Sequence, residues 1–222
     1  LFTSRLPCRH LLLKLLRILF LAGRTDYQRL WRTLRYRLGG TRPAAGGRSA
    51  EDGVPVIGCG LNLPLRDAVS LNALLIHGLD FDDTHPGGVI HATTSVLPAA
   101  LGVAAHRGAS GQDLLAAYVL GVETAIRLGA AARGGFHQVG FHPTGLIGTF
   151  GCTLACAHLM QLEAAQWVDA QGIALSLAGG SLEFLQDGAW TKRLHPGSAA
   201  ANGITAATLA RHGFVGPRAT YE

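Results

Sequence analysis

The sequence predicts an all-α fold, and three observations support this prediction. Apolar residues make up 48% of the 222 residues, so the chain can bury a large core. From Leu65 onward these residues recur mainly every three or four positions, the spacing of an amphipathic helix. No segment alternates convincingly between apolar and polar residues, so no strand is predicted.

The helices can be assigned in order along the chain. Residues 39–53 are rich in glycine and are predicted to form a loop or linker. Periodic spacing predicts a helix over residues 65–81. A small-residue helix with Pro98 near its first turn is predicted over residues 94–108.

Local signals mark the later helices. Ser110 and Asp113 form a capping-box-like start, and the helix they open is predicted to stop at Gly134–Gly135. Pro143 is a favoured first-turn residue of the next helix. Two further helices are predicted over residues 163–180 and 198–213.

Charge is distributed unevenly along the chain. Residues 1–48 hold eleven of the nineteen basic residues and one acid, so the rest of the chain is mildly acidic. This Arg-rich segment could bind nucleic acid, pack in the fold or serve in targeting. Few aromatic residues argue against base stacking, and the apolar run at 11–23 is too short and charged for a membrane span. We therefore predict neither nucleic acid nor a membrane as partner.

Two cysteines lie four residues apart. Cys152 and Cys156 can share a helical face, but the chain has no CxxC pair that would indicate a zinc ribbon or redox motif. We interpret both as small buried side chains.

The stretch LDFDDTHPGGVIHATT at residues 79–94 concentrates polar groups in a chain that is only 15% charged. It could be a metal site, a phosphatase nucleophile loop, an acid/base constellation or a solvated turn. Its DFDDT segment matches the D-x-D-x-T loop of haloacid-dehalogenase-type phosphatases. That chemistry requires a preceding buried strand and a later acidic pair. A predicted helix precedes this segment and the later acids are scattered, so the phosphatase interpretation is disfavoured.

Two more polar clusters lie near helix ends. His142 stands immediately before the helix that starts at Pro143, where free backbone N–H groups favour anions. Lys192, Arg193 and His195 are predicted just ahead of the last helix. Lys192 is one of two lysines beside seventeen arginines, which hints that a compact ammonium group is required. Ordinary structural roles remain open for both clusters.

Four blocks of the sequence together resemble the MmgE/PrpD family. They are NALLIHGLDFDDTH, GASGQDLLAAYVLGVE, GFHPTGLIGTFG and TKRLHPGSAAANGITAATLARHGFVGP, and the resemblance runs from about Val54 to Glu222. This family includes 2-methylcitrate dehydratase, cis-aconitate decarboxylase and iminodisuccinate epimerase. The resemblance implies a large all-α domain, a smaller α+β lid domain, a site between the two and a homodimer. It implies no metal and no cofactor for the chemistry.

The resemblance also implies five catalytic residues. His91 and His142 would transfer protons, because imidazoles titrate near physiological pH. Lys192 would hold a substrate carboxylate and stabilise enolate charge. Asp80 and Thr84 would orient a histidine or a substrate hydroxyl. Three neighbours would instead support the block: Asp82, Asp83 and His85.

The implied function is a lyase acting on a small polycarboxylate, by 2-methylcitrate dehydratase-like elimination of water. Alternatives are cis-aconitate decarboxylation, epimerisation, or a non-catalytic helical remnant or dimerising module. A cytoplasmic location is expected, with a mitochondrial one left open. Residues 49–222 would be a helical domain truncated before the lid. Residues 1–48 match the family poorly, as a shifted reading frame or a wrong start would explain.

Overall fold

The computed structural model describes residues 53–222. The Arg-rich segment 1–48 and most of the predicted linker at 39–53 lie outside the described residues. The described part is mostly helical, as the sequence predicts. Its elements in chain order are β1 (Val54–Val56), β2 (Leu61–Leu63), α1 (Leu65–Ile76), a 3₁₀ turn (His77–Leu79), α2 (Ala92–Arg107), α3 (Gly111–Ala132), α4 (Gly135–Gln138), α5 (Pro143–Leu159), α6 (Ala164–Leu177), α7 (Phe184–Asp187) and α8 (Thr191–Arg211).

Helix α5 forms the centre of the helical bundle. It packs against α2, α3, α6 and α8, and α8 in turn packs against α1. Fourteen of its residues are buried, on every face of the helix. A helix that is apolar all round has to lie inside a protein, and α5 does so because the small residues of its sequence GTFGCTLACA admit neighbours on several sides.

Glycines allow the backbones to approach closely. A Cβ atom added at Gly121 of α3 would lie 2.6 Å from Val96 Cγ1 and 2.7 Å from Gly151 O of α5. On the other side of α5, a Cβ atom at Gly203 of α8 would lie 2.4 Å from Cys152 Cβ. Larger side chains at these crossings would push the helices apart.

The two cysteines of α5 are buried in this core, which confirms their interpretation as packing residues. Cys152 and Cys156 are both 0% exposed. Burial raises the pKa of the Cys152 thiol to about 12, and burial raises that of Cys156 as well. Neither thiol is therefore a ready nucleophile.

The prediction that no strand forms is wrong for the segment before α1. Strands β1 and β2 pair antiparallel, with Val54 opposite Leu63. The side chain of Asn72 on α1 holds this hairpin, since its Oδ1 accepts from Ile57 N–H (2.9 Å) and its Nδ2 donates to Pro55 O (3.1 Å). Each strand has three residues, which is too short for an alternating pattern to be visible.

The predicted start of α3 is confirmed. Ser110 Oγ accepts from Asp113 N–H (3.1 Å), and Asp113 Oδ2 accepts from Ser110 N–H (3.3 Å). The helix ends at Ala132, before the glycine pair. By length and composition α3 could cross a membrane, which is weak evidence because helices of globular proteins also meet this test; here it packs against α5.

The predicted start of the last helix is wrong. The sequence predicts a helix over 198–213 with Lys192, Arg193 and His195 ahead of it. Helix α8 begins at Thr191 and contains Pro196 in its second turn. A proline so near the start of a helix lacks one hydrogen bond to the preceding turn, and its tertiary packing compensates for that loss. Both Pro196 and Gly197 are buried there.

We expect the substitution Gly121→Ala to lower the free energy of unfolding by about 1–3 kcal/mol, the usual cost of overpacking. Its methyl group would meet the backbone of α5. The control Gly135→Ala places a methyl group in open space and should leave stability unchanged or raise it slightly. Urea unfolding followed by circular dichroism measures both. Equal stabilities for the two variants would contradict the close crossing.

Candidate active site

The polar stretch at 79–94 lies against the starts of α5 and α8. The backbone N–H of His91 donates to Thr144 Oγ1 in the first turn of α5 (3.2 Å). Arg193 Nε in the first turn of α8 donates to Gly78 O (2.8 Å). These two contacts bring together three segments that are far apart in the sequence.

Asp80 and Lys192 form the ion pair of the site. Lys192 Nζ lies 2.5 Å from Asp80 Oδ2. Asp80 closes the 3₁₀ turn in the left-handed region, with φ of 59°, a conformation that Asp tolerates better than most residues. Partial burial acts to raise the pKa of Asp80, but the hydrogen bond and charge of Lys192, with His77 and His91, outweigh burial and hold the pKa below its ordinary value.

His91 lies between the other groups of the block. Its Nε2 is 3.6 Å from Asp80 Oδ1, and its Nδ1 is 3.4 Å from Thr84 Oγ1 and 3.5 Å from Asp82 Oδ2. Burial lowers the pKa of His91, although the two carboxylates act in the opposite direction. The structure thus brings four of the five sequence-predicted site residues into direct contact: Asp80, Thr84, His91 and Lys192.

The fifth predicted residue, His142, is separated from this group by the ring of His77, which contacts both His91 and His142. His142 is the N-cap of α5, is 4% exposed, and its backbone N–H donates to Gly180 O (2.9 Å). Its ring stacks on His77 with centroids 6.1 Å apart. Burial, reinforced by repulsion from His195, His77, Lys192 and His91, lowers the pKa of His142 to about 3. His142 is therefore neutral at physiological pH, so one of its ring nitrogens has a free lone pair.

Sequence reasoning missed His77. It is buried, its Nδ1 donates to Asp82 Oδ2 (2.8 Å), and its ring contacts His91 edge-on with centroids 4.8 Å apart. Its nitrogen Nε2 and the Asp82 oxygen Oδ1 are buried without a hydrogen-bond partner within residues 53–222. The available signal was its position three residues before Asp80, inside the block NALLIHGLDFDDTH.

The three residues predicted to support the block do make supporting contacts. Asp83 accepts from Thr93 N–H (3.2 Å) at the start of α2. His85 Nδ1 accepts from Gly88 N–H (2.9 Å). Asp82 accepts from His77, as described above, and its side chain is 4% exposed. These bonds hold the turn that carries Asp80 and His91.

The block could also hold a divalent metal. One ligand atom from each of His77, Asp80, Asp82 and His91 lies within 4.8 Å of the others, and a His/Asp set of this kind suits zinc. The ammonium group of Lys192, however, already lies against Asp80 and neutralises it. A phosphatase nucleophile loop needs a strand directly before its first Asp, whereas the 3₁₀ turn His77–Leu79 precedes Asp80.

Chemically, the arrangement combines the ammonium group of Lys192 with several buried or half-buried imidazoles. Lys192 is 26% exposed and can reach a substrate anion. His91 and His142 can accept or return protons. These three side chains together suit the transfer of a proton at a carbon next to a substrate carboxylate.

The chain matches the sequence model of a known protein family. The sequence model of the MmgE/PrpD N-terminal domain matches residues 40–222. The chain belongs to the MmgE/PrpD family. The MmgE/PrpD resemblance identified from the four sequence blocks is therefore confirmed, and the mostly helical structure agrees with a helical N-terminal domain.

Curated relatives within this family are named cis-aconitate decarboxylases. The human protein of that name is 38% identical over 162 residues, covering 70% of this chain and 33% of its own length. The mouse protein is 33% identical over 160 residues, covering 69% and 32%. The Aspergillus terreus protein is 32% identical over 173 residues, covering 75% and 35%. The chain thus spans about a third of the length of the relatives it matches.

We expect acid to destabilise the fold between about pH 6.5 and about pH 3. The unfolded chain binds a proton at His142 near pH 6.5, whereas the folded chain does so only near pH 3. Acid therefore favours the unfolded state, by up to about 1.4 kcal/mol per pH unit for each such histidine. The lowered pKa values of His91 and His195 act with the same sign.

Urea unfolding at about pH 7.5 and about pH 5 measures this dependence. The variant His142→Asn should show a shallower loss of stability on acidification. The control His106→Asn, at an exposed position, should behave as the unmodified chain does. An unfolding free energy that does not change between the two pH values would refute the prediction.

Proposed function

We propose that this domain supplies the acid/base half of a lyase site for a small polycarboxylate. The observation that carries the proposal is the contact set joining Lys192 to Asp80 and Asp80 to His91, with the neutral His142 beside it. A substrate carboxylate would bind the ammonium group of Lys192, either in place of Asp80 or together with it. Membership of a family that contains lyases supports the same proposal.

Both lyase reactions of the family can use these groups. In decarboxylation, the bond between the substrate carbon and the departing carboxylate breaks and CO₂ leaves. The electron pair of that bond remains on a carbon conjugated with another carboxylate. Lys192 would stabilise that charge, and an imidazole that takes up a proton beside the bound anionic substrate would deliver it to carbon. In dehydration, a neutral imidazole would take the proton from a carbon next to a carboxylate. The substrate hydroxyl group would accept a proton from a separate acid and leave as water.

Decarboxylation is the reaction to test first. The relatives from human, mouse and Aspergillus terreus are all named cis-aconitate decarboxylases, so we propose a cis-aconitate-like substrate. Dehydration of 2-methylcitrate stays a prediction from the resemblance, as do epimerisation and a non-catalytic role. The homodimer and the cytoplasmic location also stay predictions.

The activity test uses a hybrid in which this chain replaces the matching third of the human relative. We expect the hybrid to release CO₂ from cis-aconitate, and the variant Lys192→Met to lower kcat/KM by about 10²-fold, as loss of a charge that stabilises the transition state does. The control Arg127→Met removes an exposed cation paired with Glu123 and should leave turnover unchanged. Stopped-assay mass spectrometry distinguishes CO₂ loss from water loss.

Two outcomes would count against the proposal. A folded Lys192→Met hybrid with undiminished turnover removes Lys192 from the mechanism. Water loss from 2-methylcitrate without CO₂ release from cis-aconitate replaces decarboxylation by dehydration, while the acid/base assignment stands.

A further inference from the structure

His195 lies beside His142 in a space shaped for its ring. A Cβ atom added at Gly145 would lie 2.9 Å from His195 Cβ, and one added at Gly180 would lie 3.3 Å from His195 Nδ1. The ring of Phe184 contacts His195 with centroids 5.8 Å apart. Two glycines and one aromatic ring therefore fix the position of this imidazole.

His142 and His195 form a hydrogen bond between their Nδ1 atoms. His142 Nδ1 and His195 Nδ1 are 2.9 Å apart, a hydrogen-bond distance between two nitrogens that each carry at most one proton. One proton lies between them, because a proton on both would bring two N–H groups face to face. Either His142 donates and His195 accepts, or the reverse.

Proton transfer distinguishes these two arrangements. If His142 donates through Nδ1, its Nε2 has a lone pair that can gain and lose a proton while the bond to His195 persists. If His195 donates, Nε2 of His142 already carries its proton, and a second proton could enter only at the nitrogen that the bond occupies. Only the first arrangement lets His142 act repeatedly as base and acid.

We propose that His195 is a positioning residue: its Nδ1 accepts the Nδ1–H of His142 and leaves His142 Nε2 as the nitrogen that exchanges a proton with the substrate. This inference rests on the proposed function, in which His142 carries a proton. It follows a common pattern, in which the second nitrogen of a reacting imidazole is held by a partner that sets tautomer and orientation. Here that partner is a second imidazole rather than a carboxylate.

Ring-nitrogen NMR of the ¹⁵N-histidine-labelled chain tests the inference without any assay of activity. We expect His142 in the Nδ1–H tautomer and His195 in the Nε2–H tautomer. In the variant His195→Phe, His142 should shift toward the Nε2–H form that predominates in an unconstrained side chain. The variant His195→Asn should preserve the Nδ1–H form, because its Oδ1 can accept the same proton.

The control His106→Phe lies at the far end of α2, about 20 Å along the helix from His91, and should leave the signals of His142 unchanged. Circular dichroism establishes that each variant is folded. His142 in the Nε2–H tautomer in the unmodified chain would overturn the inference. So would an unchanged Nδ1–H tautomer in folded His195→Phe.

Turnover of the hybrid protein supplies a second readout. We expect His195→Phe to lower kcat by about 10–100-fold with KM nearly unchanged, the usual effect of losing a partner behind a reacting group, and His195→Asn to recover most of kcat. Full activity of a His142→Asn hybrid would instead overturn the proposed function. The tautomers would still decide the role of His195.

Discussion

The close approach of helix backbones around α5 is the constraint on which the rest of the structure depends. Gly121 on one side and Gly203 on the other leave no room for a methyl group. Closely packed interiors resist deformation, and the first residue before α5 is itself buried, with 4% exposure. That residue is His142, and the position of the candidate site follows from how α5 is packed.

The same packing determines the charge state of the site. His142 lies in a part of the protein with little water, where burial disfavours a charged imidazole. Asp80 and Lys192 lie nearer to solvent and neutralise each other. The site therefore has an accessible ion pair, Asp80 and Lys192, and a buried, neutral imidazole, His142. In the proposed lyase site, this separation would let Lys192 meet an anionic substrate while a neutral imidazole remains available to accept a proton.

The turn that carries Asp80 is stabilised by side chains that do not themselves reach the accessible side. Asp82 and His77 form a buried pair, and each keeps one polar atom without a partner in the described chain. Such atoms cost roughly 1–3 kcal/mol each. These two unpartnered atoms lie next to His91. Locally unfavourable features of this kind often cluster at functional sites, where the surrounding structure sustains them.

Much of the fold could be predicted from residue patterns. The capping box at Ser110, the helix start at Pro143 and the buried pair in α5 are local signals with local causes. The start of α8 was predicted too late. Pro196 and Gly197 are locally unfavourable inside a helix, and their burial between helices overrides that local preference. The strands at 54–63 were missed because a side chain of α1, rather than their own pattern, holds them.

The candidate site divides in the same way. The types and order of its residues, including Asp80, Thr84 and His91, were determined by the sequence alone, since they lie in one short block. Which residues meet was decided only by the tertiary structure. The pairing of Lys192 with Asp80 spans 112 positions and that of His195 with His142 spans 53. Neither follows from spacing, because helix crossings set by glycine contacts bring distant turns together.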